Sequence, residues 1–285
     1  MPDSQPPDVQ FRPMTAADVA DAHALSLALK WPHRLEDWAM LQRVAEGFVA
    51  CDDGRLIGSA FVCHQGDFST IGLVIVSDDY QGKGIGRQLM EMAVQAVAPR
   101  TALLNATLAG APLYEKMGFK PFGSIEQRQG HSTLRAASAL KSGDICRELS
   151  AADIARVKAL ASAGSGLDRH ALIDDLWPTV NHAIGLERDG QLTGFALLRP
   201  FGRGLCLGPV IAEDVDQARH LIEVLLSKVP DSFVRIDIPA DCGLALWLEE
   251  IGLTRVDSVT QMSMGAVPQL REGAQQFALI TQAIG

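Results

Sequence analysis

Residues 81–86 have the composition of an anion-binding turn. The segment QGKGIG (81–86) lies between an apolar stretch, 71–76, and an amphipathic one, 85–97. Glycine lets the backbone approach an anion closely. The free N–H groups in the first turn of a following helix point at that anion, and the helix dipole adds a favourable field. A strand, a glycine-rich turn and a helix in this order predict a phosphate cradle, with an ordinary glycine-rich turn as the alternative.

A second informative segment follows downstream. TALLNATLAGAPLYEKMGFKPFG (101–123) predicts a strand, a bend, a short helix and a further strand that opens with Gly-Phe. Around both segments the apolar spacing predicts the following elements of a first unit: strands 9–12, 48–52, 55–64, 70–76, 101–105 and 119–127, and helices 16–29, 35–46, 84–97 and 111–117.

The chain repeats itself weakly at a shift of about 135 residues. TAADVADAHAL (from Thr15) matches SAADIARVKAL (from Ser150), and both helices begin after a good N-cap residue. FVACDDGRLIGSAFV (from Phe48) matches AIGLERDGQLTGFAL (from Ala183), each with an Asp-Gly hairpin turn. LYEKMGF (from Leu113) matches LWLEEIGL (from Leu246). The two copies are therefore expected to share one fold.

The copies differ at the glycine-rich turn. Opposite it, the second copy has AEDVDQARHLIEVLLSKV (212–229), which keeps the helical pattern but has no glycine and adds Glu213, Asp214 and Asp216. Carboxylates at a helix N-terminus stabilise the helix and disfavour a pyrophosphate there. We therefore expect anion binding in the first copy alone.

Together, the two segments resemble a known family. The turn, with VSDDY directly before it, resembles the acetyl-CoA pyrophosphate loop of the GNAT acetyltransferase superfamily, and the segment around LYEKMGF resembles that superfamily's second landmark helix. STIGLVIV, NATLAGAPLY, FGRG, GPV and VRIDIP are similar to segments of tandem GNAT proteins, in which an active unit precedes a degenerate one. The resemblance implies an α/β (α+β) chain of two GNAT folds, each a mixed, mostly antiparallel sheet flanked by helices.

The resemblance also implies domain limits and roles for individual residues. Residues 8–130 would form the catalytic acetyl-CoA-binding domain, 131–144 a linker, and 145–268 a degenerate domain that contributes to the acceptor pocket. Tyr114 would be the general acid for the departing thiolate, since a phenol with a pKa of about 10 can share a proton with a thiol; a structural tyrosine is the alternative. The cofactor residues would be Val74, Ile75 and Val76 through their backbone, and Gly82, Lys83, Gly84, Ile85, Gly86 and Arg87 in the loop.

The acceptor side is less defined by the sequence. In the superfamily the bend between the first two helices often lines the acceptor site, and here that region carries Trp31, His33 and Trp38. Phe68, Trp177 and Phe201 are candidates to close it. Many superfamily members have an asparagine where this chain has Thr107, and Asn105 stands where a carboxylate is expected. No carboxylate lies between residues 70 and 76, so the general base stays open among a water chain, His33, Asp37, Asp67, Glu126, Asp168 and His170.

Composition narrows the class of protein. The 285 residues suit two domains, with 47% hydrophobic and 21% charged residues typical of a globular chain. The net charge of -9 and the pI near 5.2 disfavour non-specific nucleic-acid binding. The five cysteines form no C-x-x-C pair, which indicates reduced thiols. No apolar run reaches the length of about 18 residues that a membrane span needs, and residues 1–10 lack a signal-peptide pattern. We therefore expect a cytoplasmic protein without a metal site.

The leading hypothesis is direct transfer of an acetyl group from acetyl-CoA to the amine of a small or amino-acid-like acceptor. The alternatives are acetylation of protein lysines or N-termini, and a non-catalytic acyl-CoA-binding regulatory protein. A second unit that covers the cleft would favour a small, enclosed acceptor. The sequence does not identify the acceptor or the oligomeric state.

Overall fold

The computed structural model describes residues 9–134, 136–137, 139–140, 143–270 and 273–285. Residues 1–8 and part of the predicted 131–144 linker lie outside the described residues. The elements of the first copy are β1 (Val9–Pro13), α1 (Val19–Ala28), α2 (Leu35–Val44), β2 (Glu46–Asp52), β3 (Arg55–Gln65), β4 (Phe68–Val76), α3 (Ile85–Val97), β5 (Thr101–Ala106), α4 (Ala111–Lys116) and β6 (Lys120–His131).

The second copy repeats this order. Its elements are β7 (Ile145–Glu148), α5 (Ile154–Ser165), α6 (His170–Leu176), β8 (His182–Arg188), β9 (Gln191–Phe201), β10 (Gly204–Ala212), α7 (Val215–Ser227), β11 (Phe233–Pro239), α8 (Ala245–Glu250) and β12 (Thr254–Met264), followed by β13 (Gln275–Ala278). The shared fold expected from the repeat is confirmed.

Local sequence explains the elements that frame the cleft. On α3 a continuous apolar face is buried, formed by Ile85, Leu89, Met90, Ala93 and Val97. This face packs on strands β3 and β4. Burial of one helical face orients the N-terminus of α3 at the end of β4, which is where a phosphate cradle needs it.

The two Asp-Gly hairpin turns are confirmed. Asp53 and Gly54 have φ angles of 47° and 80°, and Asp189 and Gly190 have 51° and 76°. A type I′ turn requires positive φ at both central residues, which Asp-Gly adopts readily. The turns therefore set the register of β2 with β3 and of β8 with β9.

One mixed, mostly antiparallel sheet runs through both copies, in the order β1-β2-β3-β4-β5-β12-β6-β11-β10-β9-β8-β7. The copies exchange their last long strands: β12 of the second copy lies between β5 and β6, and β6 of the first copy pairs with β11. Helices flank the sheet, as expected. Because of the exchange, strands of the second copy lie directly beside the cleft of the first.

Strands β4 and β5 pair in parallel over only part of their length. The pairing runs from Phe68 opposite Thr101 to Ile71 opposite Leu104 and then stops. At this point Leu73 has a φ of 48°, and the pairing of β4 with β3 shifts register. Beyond Ile71 the edge of β4 that faces β5 carries no strand partner among the residues that the structure describes.

Residues 275–285 lie beyond the predicted second domain and nevertheless belong to the core. Strand β13 pairs with β10, and the segment that follows it, 279–285, is largely buried. The backbone N–H of Leu279 donates to the Asp237 carbonyl at 2.8 Å. The backbone of Ala283 lies so close to Gly72 that a Cβ atom added at Gly72 would be 2.2 Å from the Ala283 carbonyl oxygen. This segment therefore connects the second copy to β4 of the first.

Candidate active site

The glycine-rich loop presents free backbone donors. Gly82 and Gly84 have φ angles of 74° and 82°, which favour glycine, and a Cβ at either would meet no atom within 4 Å. The first backbone bond of α3 runs from Gln88 N–H to the Gly84 carbonyl at 3.1 Å, so the N–H groups of residues 82–87 have no partner in the described chain. Consecutive free donors at a helix N-terminus bind anions. This geometry fits a pyrophosphate.

The two basic residues of the loop lie beside these donors. Lys83 Nζ lies 4.7 Å from the centre of the Tyr80 ring, and Arg87 donates to Glu91 at 2.8 Å. Both side chains are exposed. They add positive charge at the mouth of the cleft, although Glu91 offsets that of Arg87.

The unpaired edge of β4 continues from the loop into the cleft. Val74, Ile75 and Val76 line it together with the loop residues and the start of α4, and the cleft has a volume of about 870 Å³. On its other edge β4 pairs with β3, with Ile75 opposite Ser59. A free strand edge offers backbone donors and acceptors to an extended ligand. The residues predicted to bind the cofactor through their backbone therefore lie where an extended ligand could pair.

Tyr114 lies in the same cleft with an unengaged hydroxyl group. The residue is 8% exposed, its ring packs edge-on against Phe119 at 6.2 Å, and its hydroxyl has no hydrogen-bond partner among the described residues. Burial raises the pKa of Tyr114 to about 12. The phenol is therefore protonated at neutral pH and free to donate to a bound molecule.

A smaller cavity of about 120 Å³ adjoins the cleft. The residues that line both are Trp31, Gly72, Leu73, Asn105 and Thr107. Its other walls come from His33, from Phe201 of β9 and from the segment 281–283. The cavity thus begins where β4 and β5 separate and ends against the second copy.

The structure brings two of the four predicted acceptor residues to this cavity. Trp31 and His33 line it, but Trp38 and Phe68 do not. Trp38 is fully buried in the core, where its indole N–H donates to Ser26 at 3.1 Å, because its face of α2 packs inward. Phe68 begins β4 at the end remote from the loop. We therefore assign Trp38 to the core and Phe68 to the start of the strand. Trp177 likewise packs against the core.

His33 is the one base candidate at the cavity. Desolvation, assisted by the charge of Arg235, lowers its pKa to about 4, and its Nδ1 is buried without a partner in the described chain. Such an imidazole is neutral at pH 7 and is a weak Brønsted base. It is suited to accept a hydrogen bond from an ammonium group.

The remaining base candidates lie outside both cavities. Asp37 is engaged by Arg34 at 3.0 Å, and Glu126 by Arg128 at 2.7 Å. Asp168 pairs with His170 at 2.7 Å on the surface. Asp67 lies in the turn before β4, where its carbonyl accepts from Thr101. None of these carboxylates faces the point where β4 and β5 separate.

The sequence did not predict several parts of the cavity wall, among them Arg235 on β11, Asp257 on β12 and the segment 281–283. They reach the cavity through the strand exchange and through the course of residues 279–285, neither of which leaves a local pattern. One signal was present. VRIDIP alternates apolar and charged residues, which places Arg235 and Asp237 on one face of a strand.

In the described part of the second copy, the chain itself occupies the place equivalent to the cleft. Its strand β10 corresponds to β4, and the residues equivalent to Val74–Val76, 210–212, pair with β13. At the N-terminus of α7 the Asp214 carboxylate accepts from the Gln217 N–H at 2.9 Å. The chain itself thus fills both the strand edge and the helix terminus that remain free in the first copy.

Within the described residues, no helix is long and apolar enough to cross a membrane. Nor do the residues that the structure describes contain a group of three or more side chains arranged to hold a metal ion.

Comparison with known proteins gives matches in both copies. The profile of an acetyltransferase (GNAT) domain matches residues 44–121, and a second acetyltransferase (GNAT) domain profile matches residues 157–278. The uncharacterized N-acetyltransferase YitH of Bacillus subtilis (strain 168) is 33% identical over 229 residues, covering 77% of this chain and 78% of that protein.

Solved structures with the same fold span nearly the whole chain. A protein of Pyrococcus horikoshii described as a candidate acetyltransferase has a TM-score of 0.76 at 19% identity, covering 100% of this chain and 99% of its own. A tandem GNAT protein from the clavulanic acid biosynthesis pathway has a TM-score of 0.62 at 16% identity, covering 91% of this chain and 99% of its own. At these identities the likeness shows the fold alone.

Proposed function

We propose that this chain transfers an acetyl group from acetyl-CoA directly to the amine of a small acceptor, and that the first copy carries out the reaction. The chain belongs to the GNAT acetyltransferase family and is an N-acetyltransferase with two GNAT domains in tandem. The observation that carries the proposal is a continuous path. It leads from the free N–H groups of residues 82–87, past the unengaged hydroxyl of Tyr114, into the small cavity beyond Leu73.

Each part of the path has a chemical task. When bound, acetyl-CoA supplies an activated thioester. The N–H groups of residues 82–87 would hold its phosphates, and the free edge of Val74–Val76 would hold and orient the arm that follows. Tyr114 keeps its proton at neutral pH and would give it to the sulfur as the carbon–sulfur bond breaks. As the carbon–nitrogen bond forms, the amine nitrogen would release a proton to solvent, and the Tyr114 phenolate would regain one from solvent.

The shape of the acceptor cavity favours a small molecule over a protein substrate. Its volume is about 120 Å³, and Trp31, Phe201 and the segment 281–283 line it. A peptide lysine needs a groove through which its chain can pass, whereas a cavity of this volume suits a small molecule. Tyr114 favours acetyl transfer over a non-catalytic acyl-CoA-binding role, because its protonated, unengaged phenol is a proton donor that the leaving thiolate needs and that binding alone does not require.

A panel of amines tests the proposal. Amino acids, alkyl amines and aromatic amines are each incubated with acetyl-CoA and the enzyme, and release of free CoA is measured together with the mass of the product. We expect amine-dependent CoA release with a mass gain of one acetyl group for small amines, and none for a lysine-containing peptide. Acetylation of the peptide in preference to every small amine would contradict the proposal.

A further inference from the structure

We infer that the acceptor carries a carboxylate group as well as its amine, and that Arg235 binds this carboxylate. The inference rests on the proposed acetyl transfer and specifies its substrate class. Arg235 lies on β11 and reaches the acceptor cavity because β11 pairs with the exchanged strand β6. Its side chain is 11% exposed, so it is part of a built wall and not a surface residue.

The guanidinium group of Arg235 is held in one orientation, and one of its nitrogens is available to a ligand. Its Nε donates to both carboxylate oxygens of Asp237 at 3.1 Å, and its Nη2 donates to Asp237 at 2.9 Å. The guanidinium carbon lies 5.4 Å from the centre of the Phe201 ring. Nη1 has no hydrogen-bond partner among the described residues. A rigid guanidinium with a spare donor is a preorganised site for a carboxylate oxygen.

Asp237 is in turn fixed by residues beside the cleft. It is 1% exposed, and Gln282 Nε2 donates to it at 3.2 Å. The carbonyl of Gln282 accepts from Asn105 Nδ2 at 2.8 Å, and Asn105 lines both the cleft and the acceptor cavity. A continuous chain of hydrogen bonds thus positions Arg235 relative to the point where β4 and β5 separate.

The charges around Phe201 favour an anion. Arg199 is 2% exposed, and its guanidinium carbon lies 5.0 Å from the centre of the Phe201 ring. Arg34 forms an ion pair with Asp37. Asp37 is also 3.9 Å from Arg199. Three guanidinium groups, those of Arg34, Arg199 and Arg235, therefore lie near two buried carboxylates, those of Asp37 and Asp237. A third carboxylate, that of Asp257, lines the cavity but is exposed, so solvent screens its charge.

The rest of the cavity suits a zwitterion. Among the described residues that line it, Asp257 supplies a carboxylate and is exposed, so it can attract a cationic amine at the entrance. Arg235 alone would repel a simple amine. A molecule that carries both an ammonium and a carboxylate group complements both residues, and about 120 Å³ suits a compact one.

Matched pairs of acceptors test this inference. The probes are amino acids and their carboxamides, which keep the amine and side chain but lose the negative charge, and kcat/KM is measured for each. We expect the wild-type enzyme to prefer the acids by about 10- to 100-fold, the value of one charge-assisted hydrogen bond. Arg235→Gln should lose this preference by lowering kcat/KM for the acids while the amides change little. Acetyl-CoA affinity, measured by calorimetry, should stay the same.

Two further variants keep the test decisive. Arg235→Gln leaves Asp237 buried without its cation, which can impair folding; the double variant Arg235→Gln/Asp237→Asn removes both charges together and should show the same loss of preference. Arg203→Gln is the matched control, because Arg203 is exposed, lies over Phe233 at 5.0 Å and does not line the acceptor cavity. It should keep the wild-type preference.

The outcomes separate the inference from the proposed function. If amines are acetylated but acids and amides react equally well, or if the variants lose both classes equally, the carboxylate inference is wrong and acetyl transfer stands. If the enzyme binds acetyl-CoA but acetylates no amine in either class, the proposed function fails and the inference fails with it.

Discussion

Gly84→Asp places in the first copy the residue that occupies the same position in the second. Both Gly84 and Asp214 are N-cap residues, of α3 and α7, and the Asp214 carboxylate accepts from a helix N–H at 2.9 Å. A Cβ at Gly84 meets no atom within 4 Å, so the new side chain fits. The substitution therefore tests whether the N–H groups of residues 82–87 form the phosphate cradle.

The folded protein should tolerate Gly84→Asp. With its φ of 82°, a non-glycine residue here costs about 1–2 kcal/mol, and aspartate adopts this region more readily than most residues. A carboxylate at a helix N-terminus stabilises the folded state by about 0.3–1 kcal/mol, which offsets part of this cost. The net loss of unfolding free energy should be about 1 kcal/mol, measured as a small decrease in Tm.

Binding of acetyl-CoA should weaken far more. A carboxylate about 4 Å from a phosphate charge costs about 1 kcal/mol in water and about 4 kcal/mol at the dielectric of a protein surface. Because the loop is exposed, we expect the repulsion between the new carboxylate and the pyrophosphate to cost about 2–4 kcal/mol of binding free energy. This loss raises Kd by about 30- to 1,000-fold. Because exposed charges are screened, part of this loss should disappear at high salt.

Gly84→Asn is the matched control, with the same size and the same backbone demand but no charge. Titration calorimetry should give it a Kd within about 3-fold of wild type, since no repulsion is added. An unchanged Kd in folded Gly84→Asp would show that the loop is not the cradle. Equal losses in both variants would assign the effect to the backbone and refute the electrostatic reasoning.

Three further predictions concern the rest of the site. Tyr114→Phe should lower kcat by about 10²-fold, with acetyl-CoA affinity and Tm nearly unchanged, because the hydroxyl has no protein hydrogen bond to lose; full activity would remove the general-acid role. Calorimetry should give one CoA per chain, since β13 and Asp214 fill the second groove, and a value near two would contradict this. His33 has its pKa lowered to about 4, so the folded state binds fewer protons than the unfolded state below pH 6.5, and stability falls as the pH drops. From pH 6.5 to 5 the wild type should lose about 1–2 kcal/mol of unfolding free energy relative to His33→Phe, and parallel pH profiles for the two proteins would refute the shift.

The sequence by itself determined the features that depend on neighbouring residues. The glycine-rich turn, the amphipathic face of α3 and the Asp-Gly hairpins are set within a few residues, because backbone freedom and helical spacing are local properties. The internal repeat and the two family segments likewise indicated two related folds. The family resemblance implied a role for Tyr114, and the structure places Tyr114 in the same cleft as the loop.

The tertiary structure alone decided the acceptor side. Strand exchange brings β11 and β12 of the second copy next to β5 and β6, and this carries Arg235 and Asp257 to a cavity that begins at Leu73. Trp38 shows the opposite case: an aromatic residue next to the predicted acceptor loop packs inward, because its face of α2 is buried.

Contacts between residues far apart in the sequence also determine that the second groove is filled. The sequence indicated that acidic residues had replaced its phosphate loop, but not that β13 pairs along the strand edge where a cofactor arm would otherwise lie. Sheet pairing joins backbone groups without regard to separation along the chain, and an unpaired edge accepts any strand that reaches it. For this reason the sequence specified which copy carries the glycine-rich loop, and the packing of residues 275–285 determined which groove stays open.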